Sequence, residues 1–79
     1  MKLTEEQIKQ NNNIPTSEIE DDIYETQYEI DQYESELKPL RNNPVENKLS
    51  IYMKEGNILK RKDFIDELNQ ILEYRKIKL

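Results

Sequence analysis

Carboxylates are the most abundant side chains in this sequence that could do chemistry. Its 79 residues include 17 Asp and Glu against 12 Lys and Arg, with no histidine and no cysteine. The commonest general base, the thiolate nucleophile and the usual zinc ligands are therefore missing. The single glycine cannot supply a phosphate-binding loop, and Ser17, Ser35 and Ser50 have no base nearby in sequence. We expect a non-enzymatic protein without a metal or other cofactor.

The acidic residues are concentrated in one segment. Between Ser17 and Leu40 there are nine acidic residues and one lysine, so this segment carries 9 − 1 = 8 net negative charges, although the whole chain carries only −5. In a helix, residues three or four apart are neighbours on one face. That spacing predicts a single acidic row, which Glu36 continues further along the helix: Glu18, Asp22, Glu25 and Glu29.

Two tyrosines, Tyr24 and Tyr28, accompany the acidic row. A negative row edged by tyrosines suits the basic groove of a nucleic-acid-binding protein, where it would replace a phosphate backbone. Neighbouring carboxylates in such a row lie about 5 to 6 Å apart, whereas duplex DNA presents a charge about every 1.7 Å, so one helix imitates at best the edge of one strand. The alternative is a solvated acidic face partly paired with cations of the same chain. Those cations would be Arg61, Lys62, Arg75 and Lys76.

The basic run Lys60, Arg61, Lys62, followed by Phe64, could contact phosphates. However, the chain as a whole is acidic, which opposes affinity for nucleic acid. We therefore expect a protein partner and no direct binding of nucleic acid.

A seven-residue pattern runs along the same acidic segment. Apolar residues recur at the first and fourth heptad positions, as in a seam that pairs with another helix. The seam comprises Ile19, Ile23, Ile30, Tyr33 and Leu37, with Thr26 and Leu40 also in phase. It packs either on the last helix of the same chain or on a second chain.

Capping residues and prolines predict where the first two helices begin and end. Thr4 and Gln7 form a capping box, so a short helix should run from about Thr4 to Gln10, with Leu3 packing on Ile8. Residues 11–13, all asparagine, should end it. Ser17 and Glu20 form a second capping box that should open a long helix to residue 37 or 38, where the proline at position 39 stops it.

The C-terminal half should form a helix-turn-helix hairpin over residues 44–78. Its first helix would begin at Pro44 and end at Gly56, with Val45, Leu49, Tyr52 and Met53 on one face. A β-hairpin around residues 51–59 is the alternative. The last helix would start near Asp63, with an apolar stripe and three cations at its end. The stripe is Phe64, Ile65, Leu68, Ile71 and Leu72, and the cations are Arg75, Lys76 and Lys78.

These elements predict an all-α fold, a small helical hairpin or a bundle of three to four helices, in one domain spanning residues 1–79. Its parts would be 1–13, 17–38 and 44–78. A core this thin is often completed by self-association or by a partner, so we expect a complex or a homo-oligomer. No apolar run has the length of a membrane span, which favours a cytoplasmic location and no membrane partner.

The segment from Glu55 to Phe64, reading Glu-Gly-Asn-Ile-Leu-Lys-Arg-Lys-Asp-Phe, resembles the oligomerisation region of phage small terminase subunits. In that family this region assembles rings, and a separate N-terminal helix-turn-helix domain binds viral DNA for packaging. The resemblance covers residues 48–75. It implies a phage origin, a host-cell cytoplasmic location and an oligomeric protein of phage assembly or DNA packaging.

Two function hypotheses follow. In the first, the chain is an inhibitor or regulator from a phage or mobile element, and its acidic helix docks on a nucleic-acid-binding protein such as a nuclease of host defence. In the second, it is a structural protein of phage assembly that associates with itself through the seam.

Overall fold

Three helices form the structure, a computed structural model that describes residues 1–78. They are α1 (Glu5–Lys9), α2 (Thr16–Leu40) and α3 (Lys48–Lys78). α2 and α3 pack along each other as an antiparallel hairpin 51 Å long, and α1 lies against α3. Residues 1–78 contain no strand. The predicted all-α hairpin is confirmed, and the alternative of a β-hairpin at residues 51–59 is wrong.

The first helix has the predicted cap. The Gln7 amide donates to the Thr4 hydroxyl oxygen over 3.2 Å, and the Thr4 amide donates to the Gln7 side chain over 2.9 Å. Leu3 and Ile8 belong to the same apolar cluster. The Leu3 amide also donates to Gln70 Oε1 over 2.7 Å, which ties the N-terminal segment to α3.

The predicted ends of α2 are wrong by one to three residues. Thr16 is already helical and Pro15, in extended conformation, is the cap residue, so Ser17 lies inside the helix and caps nothing. At the other end Pro39 lies within the last turn. The helix continues past it because the Arg41 amide donates to the Leu37 carbonyl over 2.9 Å, which closes that turn.

The predicted break at Gly56 is also wrong, because residues 48–78 form one continuous helix. Residues 44–47 belong to the preceding turn. Apolar residues recur every seven positions through the glycine and pack against α2: Ile51, Ile58, Ile65 and Leu72. A glycine inside a helix costs only about 1 kcal/mol relative to alanine. Packing of the four apolar residues outweighs that cost, and Gly56 keeps a negative φ.

Two apolar clusters hold α2 on α3. The cluster nearest the loop has Ile30, Leu37 and Ile58 at its centre. The cluster at the far end is built on four buried residues, Ile8, Ile19, Leu68 and Ile71. The α2 seam therefore faces the chain's own helices, with Ile19, Ile30 and Leu37 at most 1% exposed. Thr26 is buried between the clusters, and Ile23 and Tyr33 are half-buried at their edges.

Arg75 holds the turn between α1 and α2. Its guanidinium donates to the carbonyl oxygens of Asn11 (3.0 Å) and Ile14 (2.6 Å) and to the Thr16 hydroxyl (2.9 Å). The predicted pairing of Arg75 with the acidic row is therefore wrong, because the side chain is engaged in this turn. Lys76 lies 3.7 Å from Glu73 of its own helix. Within the predicted last stripe, Phe64 lies off the core and is 43% exposed.

Candidate functional site on the second helix

The C-terminal half of the acidic row is engaged with α3. Glu29 Oε2 accepts from Arg61 Nε and Glu36 Oε2 from Lys54 Nζ, each over 2.9 Å. The same two cations lie over the Tyr33 ring, with Arg61 at 4.8 Å and Lys54 at 5.7 Å from its centroid. Glu29 and Glu36 thus complete an arrangement in which Tyr33 is held between two cations. We call the side of the hairpin that carries these contacts the ladder side.

The basic run pairs with α2. Arg61 is held by Glu29, and Lys62 Nζ lies 4.0 Å from Glu34. Arg61 also donates to the Asn57 carbonyl over 3.3 Å. Two of the three cations are therefore engaged with groups of the same chain, which reduces what the run can offer to a phosphate.

The N-terminal half of the row has a different environment. Glu18, Asp22 and Glu25 accept no hydrogen bond and form no ion pair within residues 1–78. From Thr16 to Asp31 the chain has seven carboxylates and no cation. Like charges at this spacing repel one another along the helix. Glu29 is the one of these seven that a cation holds. The other six pair with no cation within residues 1–78, so this half of α2 carries a concentrated negative field.

The two tyrosines are one helical turn apart and differ in their distance from the acidic row. A helix turns roughly 100° per residue, so Tyr28, three positions after Glu25, lies only about 60° around the helix from it. Tyr28 is 61% exposed and borders the acidic row. Tyr24 is more than about 90° from the row and is 76% exposed. Tyr28 is therefore a neighbour of Glu25 at the edge of the row, and Tyr24 lies farther around the helix from the row.

Tyr24 belongs to the side opposite the ladder side. It lines a shallow groove on α2 with Glu20, Ile23 and Gln27. Gln27 lies two helical turns before Glu34, whose pairing with Lys62 marks this second side. Arg41 and Glu55, 3.9 Å apart, mark it nearer the loop. We call this side the groove side.

A second exposed surface lies at the loop end of α3. The predicted face of Val45, Leu49, Tyr52 and Met53 is exposed, not packed. Val45 is 88%, Leu49 70% and Tyr52 77% exposed, and Leu59 continues the surface at 68%. We call Val45, Leu49, Tyr52 and Leu59 the loop-end patch. The seven-residue repeat that starts at Ile51 would have revealed it, because that repeat turns Ile51 and Ile58 inward and these residues outward.

Within residues 1–78 there is neither a candidate metal-binding site nor a membrane-spanning helix. No group of three or more carboxylates in this part of the chain is arranged to hold a metal ion. None of its helices combines the length and apolarity required to cross a membrane.

Comparisons of the chain with known protein families, with curated proteins and with solved structures found no match. The conclusions about function therefore rest on the geometry of this chain alone.

Proposed function

We propose that this chain is a non-enzymatic protein-binding module that docks the N-terminal half of α2 on the basic groove of a nucleic-acid-binding protein. The contact surface is Glu18, Asp22, Glu25 and Tyr28. The observation that supports it most is the division of the row: Glu29 and Glu36 have cation partners on α3, whereas the other three carboxylates have none within residues 1–78.

The scaffold suits such a contact. Buried Ile19 and Ile30 fix this half of α2 on the rest of the chain, so little conformational entropy is lost when the row meets a partner. The six carboxylates between Thr16 and Asp31 that pair with no cation within residues 1–78 would accelerate the encounter with a basic groove. Tyr28 adds an aromatic ring with a polar end, a side chain enriched at protein interfaces.

Occupation of the groove would exclude nucleic acid from it. In this proposal the chain acts as an inhibitor or regulator encoded by a phage or mobile element, and a nuclease of host defence is the kind of partner it fits. The second candidate is a self-associating protein of phage assembly. The exposed loop-end patch favours self-association.

The test uses the immobilised chain to capture its partner from a host lysate, with two double variants of equal charge change. Glu18→Lys/Glu25→Lys alters the unpaired row. Glu6→Lys/Glu46→Lys alters exposed acids elsewhere, and Glu6, like Glu18, lies in the first turn of a helix. Each reversal at such a position costs only about 0.3–1 kcal/mol, so both variants should stay folded, as circular dichroism will show.

We expect the wild type and the control variant to capture a nucleic-acid-binding protein and to release it when duplex DNA or salt is added. The Glu18→Lys/Glu25→Lys variant should lose at least tenfold in affinity. Equal capture by both variants, or a captured protein that DNA cannot displace, would refute the proposal.

A further inference from the structure

Two tyrosines of α2 stand at the same spacing from a carboxylate. Asp21 precedes Tyr24 by three residues, and Glu25 precedes Tyr28 by three residues. Residues three apart are neighbours on a helix face, so each tyrosine lies beside the acid that precedes it. The second pair follows the first by four residues, about one turn of the helix, and repeats its geometry. α2 thus carries two consecutive units, each of one carboxylate and one aromatic ring.

Both units are available to a partner. Asp21 and Glu25 are exposed and pair with no cation within residues 1–78. Tyr24 is 76% and Tyr28 61% exposed, and neither takes part in a hydrogen bond or a cation contact in that part of the chain. Tyr33, the third tyrosine of α2, differs from them, because two cations of α3 lie over its ring.

One negative charge and one flat ring are also the repeating unit of a nucleic-acid strand. The two units of α2 are four residues apart, or roughly 6 Å along the helix, whereas consecutive nucleotides in one strand of a duplex are about 3.4 Å apart along its axis. The bases of a duplex are also paired inside it, and its grooves show only their edges. The wide spacing and the exposed rings therefore match a strand that is unpaired and unstacked.

Proteins that bind such strands have a positively charged groove, which follows the backbone, and aromatic side chains on which successive bases stack. We infer that the partner of α2 is a protein whose groove binds single-stranded nucleic acid, and that Tyr24 and Tyr28 occupy the positions of two consecutive bases. Asp21 and Glu25 take the places of phosphates. The assignment presupposes the proposed function and adds Asp21 and Tyr24 to its contact surface.

The fold sets the distance between the two rings before the partner is met. Ile19, Thr26 and Ile30 are buried on the core side of α2, so the turn that carries both units is held on the rest of the chain. A free strand loses conformational entropy when its bases are immobilised, whereas α2 presents both rings already spaced. Tyrosine has only two side-chain torsions to fix, which keeps its own entropic cost low.

Release of the captured protein by two competitors tests the kind of groove. The competitors are a strand of thymidine nucleotides and a mixed-sequence DNA duplex of the same length, compared at equal phosphate concentration. Both are polyanions, so both should release the protein when enough is added. We expect the single strand to do so at about one-tenth of the duplex concentration or less, because only the single strand offers bases for stacking.

Substitution of the two tyrosines tests their role. Tyr24→Ala/Tyr28→Ala should weaken the binding of the captured protein about thirtyfold or more, because loss of each stacked ring costs roughly fivefold or more. Tyr24→Phe/Tyr28→Phe keeps both rings and should bind like the wild type. The matched control, Tyr52→Ala/Phe64→Ala, removes two exposed rings of α3 and should also bind like the wild type. Circular dichroism checks that every variant keeps its helices.

Two kinds of failure can be told apart. A protein that the duplex releases as readily as the single strand does, or that binds Tyr24→Ala/Tyr28→Ala as well as the wild type, would overturn the single-strand groove and leave the proposed function standing. Capture of no protein, or of a protein that neither nucleic acid releases, would refute both.

Discussion

Replacing Gly56 by alanine should stabilise this protein. The preference of glycine for helix C-termini predicts a helix end at Gly56. Gly56 nevertheless lies inside α3 with a negative φ. A Cβ atom added there would meet no atom within 4 Å. Alanine therefore brings no steric clash, and it removes the extra conformational entropy that glycine has in the unfolded chain.

The expected gain is about 0.5–1 kcal/mol in the free energy of unfolding. For a domain of this size, 1 kcal/mol corresponds to a change of about 4–8 °C in melting temperature, so Gly56→Ala should raise it by about 2–8 °C. Gly56→Asn provides the comparison. In a regular helix the order of stability is Ala, then Asn, then Gly, whereas at a left-handed helix end it is Gly, then Asn, then Ala.

The measurement is thermal unfolding followed by circular dichroism, at a protein concentration where sedimentation shows a monomer. A melting temperature that falls for Gly56→Ala and falls less for Gly56→Asn would mean that the residue ends a helix. The continuity of α3 would then be wrong.

Two further predictions concern the far end of the hairpin. Arg75→Lys keeps the charge but loses the planar guanidinium that reaches three oxygen atoms, so urea unfolding should show a loss of about 1–3 kcal/mol; unchanged stability would show that the turn at residues 11–16 does not need Arg75. The pKa of the Tyr74 phenol is raised by desolvation and by its 3.1 Å hydrogen bond to Glu5. Because this pKa is higher in the folded than in the unfolded state, its contribution to stability is present below the ordinary value of 10.0 and is lost as pH rises through the folded pKa. The stability difference between wild type and Tyr74→Phe, measured in urea at pH 8 to 11, should be constant up to pH 10 and shrink above it; a difference independent of pH would contradict the contact.

The parts of the fold that the sequence predicted correctly depend on local signals. The capping box at Thr4 needs only neighbouring residues, and the seam of Ile19, Ile30 and Leu37 repeats regularly enough to be recognised without a partner. The missed features depend on contacts between distant segments. Gly56 is helical because the residues before and after it pack on α2, and that information lies in the pairing of the two helices and not near the glycine.

In the candidate site, too, local features could be predicted from the sequence, whereas contacts between distant segments could not. The spacing of the acidic row could be read directly, but spacing does not say which carboxylates find a cation. Glu29 and Glu36 do so because Arg61 and Lys54 lie opposite them on α3. The sequence pattern had predicted two separate helices there. Tyr24 and Tyr28 are one helical turn apart, yet only Tyr28 is a neighbour of Glu25, whereas Tyr24 lines a groove beside half-buried Ile23. The groove follows only from the fold.

The contacts around Tyr33 have a consequence for which of several hairpins the chain adopts. Apolar residues repeat every seven positions on both long helices, so sliding α3 by two turns would still set apolar side chains against the seam. After such a slide Lys54 and Arg61 could not both flank Tyr33 and meet Glu36 and Glu29 in their present order. Each of these half-exposed ion pairs contributes little to stability. Together they distinguish the native register from its shifted alternatives, a task that the repeating apolar seam cannot perform.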